Sequence, residues 1–75
     1  MKQISVESMK RIALRLLKKA QEATAEFRSK PGDEYLSGRS EACYELMDIL
    51  QSELEVEGIE LKQVGLDVDL VKELV

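Results

Sequence analysis

The tetrapeptide Lys30-Pro31-Gly32-Asp33 splits the chain into two stretches that each carry helical periodicity, and no other segment limits the fold as strongly. A residue before proline is pushed out of the α region, and Pro-Gly supplies the fixed φ and then the positive φ of a tight turn. A helix that reaches Lys30 must stop there, and the chain must reverse. Upstream, Val6, Met9, Ala13, Leu16, Ala20, Ala23 and Phe27 recur at alternating steps of three and four, which is one face of an amphipathic helix over about 6–29. Ser5 is placed to cap its free N–H groups, and Glu7 suits the positive end of its dipole. Ile12 and Leu17 widen the stripe on either side. Ala13, Ala20 and Ala23 keep its middle shallow, so that a second helix can approach closely, while Leu14 points off it.

Downstream of the turn at 30–33, a second helix is expected over about 34–57. Asp33 can cap it, with Ser37 as a later alternative because Gly38 weakens the first turn. Tyr35, Leu36, Ala42, Cys43, Leu46, Met47, Ile49, Leu50 and Leu54 occupy one broad face, and Gly58-Ile59 has the form of a left-handed cap with its hydrophobic contact. Each helix then exceeds five turns, roughly 30 to 35 Å at the usual rise. The segment 59–75 is less determined. Ile59-Glu60-Leu61 alternates, which leaves 59–66 extended or coil, and Gly65 interrupts the chain again. Asp67 is positioned to cap a short helix over about 68–74, with Leu66 and Val71 as its hydrophobic staple. The fold class is therefore all-α, an antiparallel two-helix hairpin with a short C-terminal helix, in a single domain spanning 1–75.

A chain of 75 residues buries a smaller share of its surface than a larger domain does, so its core is marginal unless something adds to it. One cysteine, Cys43, and no histidine leave no disulfide within the chain and no standard zinc ligand set, and no cofactor is implied. Self-association is the remaining means of completing the core. A lone cysteine fits a reducing compartment, and Met1-Lys2-Gln3-Ile4-Ser5 opens no apolar stretch of signal-peptide length, so a soluble cytoplasmic protein is expected. The longest apolar runs, Ile12–Leu14 and Ala42–Tyr44, are far too short to cross a bilayer.

Residues 1–30 hold eight Lys and Arg against three Glu, whereas 31–75 hold three against twelve Asp and Glu. Opposite fields of this kind favour docking of one half on the other, or of a basic helix on an acidic partner. Arg39 stands out, because its helical neighbours Tyr35, Leu36, Ala42 and Cys43 form an otherwise apolar patch. Its stem can cover the stripe while the guanidinium reaches water or stacks on Phe27. A sharper expectation pairs it across two copies: if helix two packs antiparallel on itself with Leu46 at the crossing, Arg39 of one chain faces Glu53 of the other, twice by symmetry. Glu57 lies in the same angular sector.

Glu41, Glu45, Asp48 and Glu55 line the opposite face of helix two, as a solvated stripe or as ligands for a divalent metal. The Glu45-x-x-Asp48 spacing resembles the second half of the carboxylate signature of all-α nucleotide pyrophosphatases, which are also helical bundles. The resemblance covers four residues. The paired-Glu first half is missing, with only Glu22 and Glu26 on helix one, so a metal-dependent nucleotide hydrolase is the weakest reading. Arg11, Arg15 and Lys18, continued by Lys19, form a basic strip on the back of helix one. It reads as a solvated face moderated by Glu7, Glu22 and Glu26, or as a nucleic-acid contact, which the overall acidity and the lack of interleaved aromatics weaken. Cys43 lies in the apolar sector with no histidine to activate it, which makes it a packing residue.

The hairpin leaves an apolar face on each helix partly covered, and a short C-terminal segment is too small to finish the core. A homodimer closing into a four-helix bundle resolves both shortages. The expected interface is Ala13, Leu16 and Ala20 of helix one with Arg39, Leu46, Leu50 and Glu53 of helix two. The matching function is a small non-catalytic interaction or assembly module. The alternative is a nucleic-acid-associated accessory protein that uses Arg11, Arg15, Lys18 and Lys19.

Overall fold

The computed structural model describes residues 4–75, so that Met1, Lys2 and Gln3 of the N-terminal reading lie outside the described residues. Two long helices, α1 (Val6–Ser29) and α2 (Glu34–Val56), are followed by a 3-10 turn at Leu61–Val64 and a short helix α3 (Leu70–Leu74). The Ser5 hydroxyl accepts from the Ser8 N–H at 3.1 Å and starts α1. At the other end Lys30 leaves the α region at φ −138°, as its position before proline requires. The Asp33 carboxylate then accepts from the Leu36 N–H at 3.0 Å, so α2 begins at the earlier of its two candidate caps and Gly38 sits inside the helix. Gly58 at φ +79° closes α2. The Ile59 N–H donates back to the Leu54 carbonyl and that of Gly58 to Glu55, which satisfies two of the carbonyls left free at the helix end.

Beyond Gly58 the chain departs from its sequence reading. Residues 61–64 form a 3-10 turn rather than a strand or coil, ended by Gly65 at φ +74°. α3 is capped by Asp69, not Asp67: one Asp69 carboxylate oxygen accepts from the N–H groups of Val71 and Lys72 at 3.1 and 3.3 Å. The cause is upstream. The Gln51 side-chain amide donates to the carbonyls of both Leu66 and Val68, at 2.9 and 3.2 Å, which ties residues 66–68 to α2 and delays the helix. Leu66 is fully buried while Val71 is mostly exposed, so the expected staple between them does not form.

The C-terminal segment runs back along one face of the hairpin, parallel to α1. Leu14 abuts Gly65, Gln21 donates to Glu73, and Arg28 donates to the Val75 carbonyl, three contacts spaced seven residues apart on α1. Leu14 is therefore a contact with this segment and not a stray exposed leucine. Val64, Leu66, Leu70 and Leu74 fill the trough between α1 and α2, against Ala13, Leu17, Met47 and Leu54. The core thus lies on one side of the helix pair. This placement turns α1 so that Leu17 is buried and Leu16 is not, although both belong to the same broad stripe.

Two hydroxyls also lie inside. Thr24 donates to the Ala20 carbonyl four residues earlier at 3.0 Å, and its oxygen is 3.4 Å from the Ser40 hydroxyl on α2. Bonding to the i−4 carbonyl lets a hydroxyl enter a helix interface without an unpaired group. The described residues have a radius of gyration of 13.5 Å, above the roughly 11 Å expected of a compact chain this long. The hairpin is elongated, and none of the described residues stacks on one side of it.

Two glycine substitutions should move stability in opposite directions in urea unfolding. Gly65→Ala forces a side chain into positive φ and sets its Cβ about 3.0 Å from Leu14 Cδ2, and it should cost about 1–2 kcal/mol. Gly38→Ala lies in a regular exposed turn of α2 with nothing within 4 Å of the new Cβ, and it should gain about 0.5–1 kcal/mol.

Candidate interaction groove

On the face opposite the C-terminal segment, α1 and α2 flank an open groove of about 430 Å³. Its direction follows from helical spacing: on α1, Leu14, Gln21 and Arg28 point to the C-terminal segment, while Leu16 and Lys19 lie on the other side of the buried line Ala13–Leu17–Ala20–Thr24. On α2, Leu46, Ile49 and Leu50 project beside the buried Met47, with half-buried Cys43 next to them. Leu16, Leu46 and Ile49 are 47, 64 and 56 % exposed, and Ile12, at 43 %, stands one turn before Leu16 on α1. Large aliphatic side chains this exposed and this contiguous are unusual on a chain with no partner. Among the described residues, the only charged ones lining the groove are Lys19, on α1, and Glu53, on α2.

The seven expected interface residues divide. Leu16, Leu46, Leu50 and Glu53 line the groove together, as do the fixed floor residues Ala20 and Met47. Ala13 does not, being fully buried in the core that α1 shares with the C-terminal segment, and Ala20 is only 2 % exposed. The shallow middle of α1 therefore serves close approach within the chain. Arg39 is also engaged at home: its Nη1 donates to Glu26 Oε2 on α1 at 2.7 Å. The guanidinium crosses the hairpin near the turn to reach Glu26 of its own chain. The physical reason is proximity, since the turn brings Glu26 level with Arg39 before any second chain arrives.

Arg11, Arg15, Lys18 and Lys19 are all exposed along α1, and none forms an ion pair with a described residue. Lys19 is the one that reaches the groove. Glu45 and Asp48 are exposed on α2, and among the described residues no three carboxylate or thiol side chains converge as metal ligands. No helix is long and apolar enough to cross a membrane among those residues. The chain matches no protein family, no curated protein and no solved structure in the three comparisons made.

A double-mutant cycle of Arg39→Ala and Glu26→Ala, read by chemical unfolding, should give a coupling of about 0.2–1 kcal/mol, the range for a partly exposed ion pair. The cycle of Arg39→Ala with Glu53→Ala within one chain should give none.

Proposed function

We propose that this chain is a non-catalytic interaction or assembly module that works as a homodimer, two hairpins closing their grooves on one another into a four-helix bundle. The observation behind this reading is the groove itself: a contiguous aliphatic surface on one side of a helix pair whose other side is filled by its own C-terminal segment. A two-layer arrangement of helices buries both faces of each hairpin. Leu16, Leu46, Ile49 and Leu50 would then become core. Transfer of such side chains out of water is worth about 1.5–3 kcal/mol each, before the cost of association. Cys43, half-buried at the edge of the groove, would be enclosed as a reduced thiol, which suits a cytoplasmic setting.

Light scattering after size exclusion should give a molar mass about twice that of the 8.5 kDa chain. Leu46→Glu, a change at a site exposed in the single hairpin, should retain its helical circular dichroism and elute as a monomer, because a carboxylate cannot be buried there unpaired. A wild-type chain that remains monomeric at high micromolar concentration overturns the reading.

A further inference from the structure

Two symmetric arrangements bring a pair of such grooves together, and they differ in which helices touch. A two-fold axis across the helices stacks α1 on α1 and α2 on α2, the geometry that an Arg39–Glu53 pairing between copies requires. A two-fold axis along the helices stacks α1 of each chain on α2 of the other. We infer that the second arrangement is the one this surface is built for, with a second copy of the chain as the occupant and the basic rim of α1 against the acidic rim of its partner. The inference rests on the homodimer reading and adds its geometry.

Three observations carry it. First, the charges are divided between the helices: α1 has six cations against three carboxylates, and α2 has six carboxylates against Arg39 alone. Most of these charges flank the apolar face and do not line it, but the helices as wholes differ in sign: stacking α2 on α2 brings two net-acidic helices together, whereas stacking α1 on α2 brings unlike ones, and like charges across an interface suppress association. Second, the single cation of α2 is already held by Glu26 of its own chain at 2.7 Å, so it is not available to relieve that repulsion. Third, the cations along the groove side of α1 have no ion-pair partner among the described residues, and Lys19 and Glu53 stand on opposite rims of the same groove.

The levels also match. The Glu26–Arg39 and Thr24–Ser40 contacts fix the register of the hairpin, and at about 1.5 Å rise per residue Lys19 lies level with Glu45 and Leu46, and Leu16 with Ile49. An axis along the helices preserves level. Leu16 of one chain then packs on Leu46 and Ile49 of the other, Lys19 meets the other chain's Glu45, and Arg15 reaches its Glu53. An axis across the helices at Leu46 would set Lys19 beside its own copy.

The test is the dimer dissociation constant, by sedimentation equilibrium at low salt, for three variants of the full chain. Lys19 and Glu45 are exposed in the hairpin, so circular dichroism should be unchanged in all of them. Lys19→Glu and Glu45→Lys should each weaken the dimer about tenfold, since each spoils two symmetric contacts, and the double swap should restore it. A dimer that Glu45→Lys tightens and Lys19→Glu leaves unchanged has α2 on α2, which overturns the inference while sparing the homodimer reading. A wild-type chain that is monomeric removes both.

Discussion

The seating of Val64, Leu66, Leu70 and Leu74 between the two long helices is the contact on which the rest of the structure depends. Leu66, Leu74 and Val64 are the largest apolar side chains to be fully buried. The segment that supplies them cannot hold its own shape, because a helix of five residues is unstable in isolation. It is held from outside by the reversal at Gly65, by the Gln51 amide on two of its carbonyls, and by the trough itself. The dependence runs both ways. The residues that α1 and α2 fully bury toward the turn are small, among them Ala20, Ala23, Thr24 and Ser40, and the four aliphatic residues add large side chains to the same core.

Filling one side of a two-helix hairpin leaves its other side bare, and this links the fold to the proposed function. The rotation of α1 that buries Leu17 under the C-terminal segment turns Leu16 outward, and the same geometry on α2 buries Met47 and turns Leu46 and Ile49 outward. The exposed aliphatic face is thus a consequence of how the core is completed. The separation of charge between the halves of the chain becomes, in the hairpin, a difference between the two rims of that face. In the proposed dimer a field arranged in this way would select how the second copy is oriented, and would add less to affinity than the aliphatic contacts.

Most of the architecture was legible in the residues, because it depends on local chemistry. Ser5, Asp33 and Gly58 mark helix ends by hydrogen bonds made within a few residues, and Pro31 ends α1 through the backbone of its neighbour. What was not legible depends on contacts between distant segments. Leu16 and Leu17 are equivalent in periodicity, and only the docking of residues 64–74 distinguishes them. Thr24 falls on the buried line by spacing, seven residues after Leu17, but its polarity concealed it until the Ala20 carbonyl and Ser40 were seen to satisfy it. The start of α3 was misplaced by two residues because Gln51, on another helix, holds the chain through Val68. For the groove, Leu16, Leu46, Leu50 and Glu53 were evident as apolar and charged positions of the right sector. The apolar neighbours of Arg39 mark it as needing a partner, and the register of the hairpin supplies one within the chain, Glu26 across the turn on the other helix.

In the proposed dimer the groove face of one chain is covered by the groove face of another, α1 on α2. An isotope-filtered nuclear Overhauser experiment on a mixture of carbon-13-labelled and unlabelled chains reads this directly, because it reports only contacts between copies. In the α1-on-α2 dimer, cross-peaks run from Leu16 methyls of one chain to Ile49 and Leu46 methyls of the other. Cross-peaks confined to Leu46 with Leu46, or no filtered cross-peaks from the groove residues at concentrations where the chain is fully folded, would contradict it.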